Sequence, residues 1–170
     1  MRAGAVLDSR DNDAYTSSVK RHDASVDETT LPVLPCACAN LRRAARAVTR
    51  VYNQALRSDG IEITQFTLLM ALNVTGETSQ GGLGELLALD STTLTRALRL
   101  LKRKSWVRIR EGKDRRQRLL SLTATGRGKL DQAMPRWARA QTALKDALGP
   151  EAFGRLAGLS ARAATISLAP

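Results

Sequence analysis

Residues 85–123 read ELLALDSTTLTRALRLLKRKSWVRIREGKDRRQRLLSLT, and the reading of this stretch decides the fold. Leu86, Leu87 and Leu89 form an apolar patch that stops at Asp90. An oxygen of Asp90 or of Ser91 can accept from the free N–H groups of the next turn, so either residue suits an N-cap. From Ser91 onward, Leu94, Ala97, Leu98 and Leu101 recur at i, i+3, i+4, i+7, which predicts a helix with one apolar face turned inward. The opposite face carries Thr92, Thr95, Arg96, Arg99 and Lys102, with Ser91 and Thr93 near its start. Hydroxyls and guanidiniums at the front of an amphipathic helix are the groups that hydrogen-bond base edges in a major groove.

After Lys104 the period changes. Trp106 to Arg110 and Arg118 to Leu122 are short, partly alternating runs, and the polar residues 111–117 lie between them. That pattern predicts a β-hairpin with a basic tip. A short helix, a second helix and then such a hairpin make a winged helix-turn-helix. Arg115 or Arg116 at the tip would meet the minor groove or the phosphates while the helix occupies the major groove.

Three motifs then carry a family resemblance. Thr93-Leu94-Thr95-Arg96, Asp114-Arg115-Arg116 and Leu122-Thr123-Ala124-Thr125-Gly126-Arg127 resemble, in that order, the T-x-T-R, D-x-R and L-T-x-x-G-R patterns of the MarR family of dimeric winged-helix transcriptional regulators. The resemblance runs from about Cys36 to the C-terminus, and its specificity lies in the combination. One departure is Lys104-Ser105-Trp106, where the family usually has Gly before the apolar residue; Ser105 must take the tight turn itself. The resemblance implies a mostly α-helical fold, with a small hairpin wing and a helical dimerisation region. It implies that Asp114 holds a wing arginine in position.

Composition agrees with this reading. The chain has 170 residues and suits one domain of ordinary size. Its net charge of +11 is unevenly placed. Residues 1–35 hold four Lys/Arg against six Asp/Glu, whereas residues 90–130 hold thirteen against three. The basic excess therefore sits on the proposed reading head, as expected of a DNA-binding surface. No apolar run reaches the length of a membrane span, and the N-terminus has no secretory h-region. Two cysteines two residues apart make no disulfide framework, and the expected setting is a bacterial-type cytoplasm. The sequence has no P-loop, no nucleophile elbow and no dinucleotide fingerprint, so no enzyme and no cofactor is expected. A metal site is not expected either, because two Cys and a distant His are too few ligands.

In chain order, residues 1–35 read as a flexible tail containing the lone His22, closing at Leu31 to Pro35. Residues 36–170 form the MarR-like domain. Within it, 36–60 and 124–170 are assigned to dimerisation helices and 61–123 to the winged helix-turn-helix lobe. The first helix is expected from Ala37 or Ala39 to about Arg57, with Leu41, Ala44, Ala45, Val48, Tyr52, Ala55 and Leu56 as its buried stripe. A second helix starts from Thr64 as N-cap. A turn over Gly76 to Gly82 includes one short strand against the wing, and a helix from Gly82 to Leu89 follows. Thr123 or Thr125 starts a long helix that Pro135 should kink. A last helix follows Gly149-Pro150. In the family such first and last helices intertwine, which implies a homodimer reading a pseudo-palindromic duplex operator.

The DNA-contact candidates are thus Ser91, Thr92, Thr93, Thr95, Arg96, Arg99, Arg115 and Arg116. Cys36 and Cys38 admit two readings. By resemblance, either is an oxidant sensor at a helix N-terminus, where free N–H groups favour a thiolate. Alternatively both are small, half-buried residues without a switching role. Arg43, Arg46, Tyr52 and Trp137 likewise either line a pocket for a phenolic or carboxylate effector, as many relatives have, or belong to core and surface. The rival to a specific regulator, expected to repress, is a sequence-tolerant architectural protein that coats or bends DNA by charge alone.

Overall fold

The computed structural model describes residues 31–112, 114 and 117–166. Of the expected tail, only residues 31–35 fall within this range; His22 and the remainder lie outside the described residues. The chain divides into two compact units, residues 1–48 and 49–170.

In the first unit, helix α1 (Ala37–Leu56) begins directly after Cys36. The Asn40 side chain holds the preceding segment: its Oδ1 accepts from the Leu34 N–H at 3.0 Å. Its Nδ2 donates to the carbonyls of Leu34 at 2.6 Å and Cys36 at 3.1 Å. Arg43 donates to the Pro32 carbonyl at 2.8 Å. The expected buried stripe of α1 is mostly open in the single chain. Leu41 is 49% exposed, Ala44 and Ala45 are exposed, and only Tyr52 and Leu56 are buried. Periodicity identifies an apolar face, but burial needs a surface to cover it.

The second unit contains the end of α1, a 3₁₀ turn at Arg57–Asp59 and Gly60 in the left-handed region at φ 63°. Then come α2 (Ile63–Thr75), β1 (Thr78–Ser79), α3 (Gln80–Leu87), α4 (Ser91–Arg103), β2 (Val107–Glu111), β3 (Arg118–Leu122), α5 (Ala124–Leu148) and α6 (Pro150–Ala164). The sheet is antiparallel in the order β1-β3-β2. Leu120 faces Ile109 on one side and Thr78 on the other, and its face is the inner one because Leu120 is fully buried. Phe66, Leu69 and Leu72 of α2, Leu83 of α3, Leu94, Leu98 and Leu101 of α4, Val107, Leu120 and Leu130 make one core.

Several boundaries differ from expectation for identifiable reasons. Helix α2 starts at Ile63, not from a Thr64 cap. The Glu62 side chain forms no cap, and Asn53 Oδ1 of α1 accepts the free Ile63 N–H at 2.7 Å. Helix α3 begins at Gln80 rather than Gly82, because the Ser79 hydroxyl caps the Gly82 N–H at 3.0 Å. Leu86, a member of the expected apolar patch, is 57% exposed. The first wing strand begins at Val107, one residue after the buried Trp106. As expected, Pro135 lies inside one long helix, the 25-residue α5.

The junction between α4, the wing and α5 is tight. Ser105 adopts φ 58°, in the left-handed region that favours Gly. The Thr123 hydroxyl donates to the Ser105 carbonyl at 2.6 Å and accepts from the Gly126 N–H at 3.0 Å, capping α5. The Thr123 N–H donates to the Trp106 carbonyl at 3.1 Å. A Cβ on Gly126 would stand 2.0 Å from that same Trp106 oxygen, which explains the glycine in the Leu-Thr-x-x-Gly-Arg motif. Two outcomes follow for denaturant unfolding. Gly126→Ala loses about 2–3 kcal/mol, because displacing a backbone carbonyl outweighs the roughly 1 kcal/mol gained in helix propensity. Ser105→Gly gains about 0.5–1 kcal/mol by relieving the left-handed strain, net of the glycine's larger unfolded-state entropy.

Candidate nucleic-acid interface

Helix α4 is set by its cap and its apolar face. Asp90 Oδ1 accepts from the Thr93 N–H at 2.9 Å and Oδ2 from the Thr93 hydroxyl at 2.6 Å. The Thr93 hydroxyl first, and its N–H second, hold the Asp90 carboxyl below its ordinary value. With Leu94, Leu98 and Leu101 buried, the rotation of the helix is settled, and Ser91, Thr92, Arg96 and Arg99 face solvent. The other two contacts expected on this helix are already engaged within the protein. Thr93 serves the cap, and the half-buried Thr95 hydroxyl accepts from Gln80 Nε2 at 2.9 Å. Sequence patterning alone did not single out Gln80, because the partner that uses it is fifteen residues away.

The wing lies beside this helix. At its tip the Gly112 N–H donates to the Gln117 carbonyl at 2.7 Å, and the Gln117 N–H to the Asp114 carbonyl at 2.8 Å. Asp114 is exposed there, whereas Arg115 and Arg116 lie outside the described residues. Arg108 and Arg110 of β2 are exposed. Arg110 grips the Glu77 carboxylate with two bonds, Nε to Oε2 at 2.8 Å and Nη2 to Oε1 at 2.5 Å. Those hydrogen bonds first, and the guanidinium charge after them, hold the Glu77 carboxyl below its usual range. An open cleft of about 780 Å³ lies where α3, the start of α4 and the tip end of β3 meet. Gln80, Gly81, Ser91, Gln117 and Arg118 are among its lining residues. Of these, only Ser91 was expected from the sequence.

Cys36 and Cys38 are both exposed free thiols, so the half-buried reading of them is corrected. Tyr52 is buried, and its hydroxyl donates to Gln141 Oε1; burial pushes that phenol above its ordinary value. Trp137 stacks on Phe66, with ring centroids 5.5 Å apart, as part of the core packing. Arg43 is committed to Pro32 and Asn40, and Arg46 is exposed. Among the described residues, no group of three or more His, Cys, Asp or Glu is placed to hold a metal ion. No helix among the described residues is long and apolar enough to cross a membrane.

Comparison with known proteins places this architecture. A family model described as MarR family matches residues 59–117. The chain is 34% identical to the transcriptional regulator MosR of Mycobacterium tuberculosis, whose structure was solved in complex with DNA. That match covers 77% of this chain and 99% of MosR, with a TM-score of 0.68. An uncharacterised HTH-type transcriptional regulator of Bacillus subtilis, YwoH, is 27% identical over 92 residues, 54% of this chain and 67% of YwoH. The HTH-type regulator SarZ of Staphylococcus epidermidis is 34% identical over 84 residues, 49% of this chain and 57% of SarZ. Matched in its winged head by the family model, and similar over nearly the whole of MosR, the chain belongs to the MarR family of winged-helix transcriptional regulators.

Proposed function

We propose that this MarR-family regulator binds specific duplex DNA as a homodimer, represses transcription from a pseudo-palindromic operator, and is released by oxidation or by a small effector. One observation carries the reading. The face of α4 that cannot turn inward presents Ser91, Thr92, Arg96 and Arg99 within the most basic segment of the chain. Hydroxyls and planar guanidiniums are suited to base edges and phosphates alike, whereas charge alone would not require a Ser/Thr-rich helix front. Thr93 and Thr95 act by positioning α4 and its neighbour. Arg115 and Arg116, with Asp114 beside them, supply the wing contacts. That MosR was solved with DNA supports the same reading.

The homodimer is supported by apolar surface. Val51, Leu148, Leu156 and Leu159 are between 37% and 62% exposed, and no residue of α6 is buried. Two copies joined through such surface would set two heads on successive major grooves. For the signal, the exposed Cys36 or Cys38 sulfur, as thiolate, attacks a peroxide oxygen; the S–O bond forms, the O–O bond breaks with hydroxide leaving, and the product is a sulfenic acid. A phenolic or carboxylate effector is the other candidate. Either releases DNA only by favouring a head spacing that the operator does not fit.

Fluorescence anisotropy against DNA from upstream of the protein's own coding sequence, with a scrambled duplex as control, tests the central claim. A specificity ratio of about a thousand or more is expected of a regulator, and a ratio near one would establish the architectural alternative instead. Arg96→Ala should weaken operator binding by about 5- to 100-fold and narrow that ratio. Mild peroxide treatment should weaken binding in the wild type but not in Cys36→Ser with Cys38→Ser. An unchanged peroxide response in the double variant would move the signal to a small molecule.

A further inference from the structure

We infer that the Glu77–Arg110 ion pair is a strap that positions the wing for DNA, so that Glu77, an acidic residue on a basic head, strengthens specific binding. The inference rests on the proposed DNA-binding function and names two residues that its motifs do not include. Leu120, opposite both Thr78 and Ile109, lies on the inner face, so strand alternation puts Arg108 and Arg110 on the outer face. Glu77 stands one residue before Thr78, and by the same alternation it shares that outer face. β1 and β2 are not neighbours; each pairs with β3. The Glu77–Arg110 pair therefore reaches across the centre strand and joins the two outer strands directly.

What it joins is otherwise loosely connected. β1 is two residues long, with Thr78 opposite Leu120 and Ser79 opposite Leu119. The buried residues of the hairpin, Val107 and Leu120, hold its base and centre. Arg110 lies in the distal half of β2, two residues before Gly112 and the tip. A forked, two-bond grip at that level resists sideways swing of the hairpin, which the base packing does not reach. As an exposed pair, 52% and 39% accessible, it adds little to folding stability. Its effect belongs to the orientation of the wing.

Electrostatics alone and positioning predict opposite signs, which makes the inference testable. Glu77→Gln keeps the side chain's shape and removes a negative charge from a polyanion-binding head. If Arg110 simply contacted phosphate and Glu77 competed for it, the variant would bind DNA more tightly. The strap predicts the reverse for the operator: a dissociation constant about tenfold higher, with binding to a scrambled duplex unchanged or tighter. The probes are a duplex selected by the wild-type chain from a random library, and its scrambled counterpart. The exchange Glu77→Arg with Arg110→Glu preserves net charge and re-forms the pair, and should return operator binding to within about threefold of wild type. Operator binding by Glu77→Gln as tight as wild type, or a folded exchange variant no better than Glu77→Gln, overturns the strap. A wild-type chain that selects no duplex overturns the DNA-binding function itself, a separate result.

Discussion

The backbone carbonyl of Trp106 is the point on which the rest of the head depends. It accepts the Thr123 N–H and lies against Gly126, so the end of the recognition helix and the start of α5 share one small volume. Ser105 turns the chain into that volume with a left-handed backbone, and Thr123 closes it by bonding both Ser105 and Gly126. The Trp106 ring is buried beneath two ammonium groups, Lys104 at 4.4 Å and Lys129 at 5.7 Å from its centroid. Both lysines reach the turn after α1 as well, Lys129 to the Asp59 carbonyl at 2.9 Å and Lys104 to the Gly60 carbonyl at 3.4 Å. Cations on the carbonyls at a helix C-terminus are favourably placed against its dipole. One junction thus fixes the end of α4, the first wing strand and the turn that follows α1.

Around the turn, Asp59 completes the arrangement. Its carboxylate is almost fully buried and bonds Arg136 of α5 at 2.6 Å. A buried carboxylate tolerates little displacement of its partner, so α5 and the end of α1 move together. That rigidity suits the control proposed above, in which a signal at the helical region alters the placement of the head. A signal acts through differential affinity for two arrangements, and a stiff joint lets a small shift reach α4 undiminished.

In the proposed reading, the DNA-facing surface divides into groups that touch and groups that aim. Arg96, Arg99, Ser91 and Thr92 are presented outward by α4, whereas Thr93, Thr95 and Gln80 spend their hydrogen bonds inside the head. The Glu77–Arg110 pair belongs with the second group. Carboxylates on a basic head are economical only when they orient something, and both Asp90 and Glu77 are held ionised by bonds to the groups they orient.

The amino-acid sequence by itself determined the helix-turn-helix and its wing. A helical period over Leu94 to Leu101 and a change of period after Lys104 are local signals, and so are the paired cap candidates, Asp90 or Ser91 and Thr123 or Thr125, from which the structure takes Asp90 and Thr123. The same holds for the concentration of charge on the head. Tertiary structure alone decided the rest. Asn53 starts α2 from the previous helix, ten residues away, so a search for a local cap at Thr64 could not succeed. Glu77 meets Arg110 across thirty-three residues of chain, and Gln80 meets Thr95 across a helix pair. The Leu41 stripe shows the same limit in reverse. A period reports which face is apolar, but only packing decides whether anything covers it, and in the single chain Leu41 is 49% exposed. Local chemistry writes the elements, and contacts between residues distant in sequence determine which of their side chains are free to act.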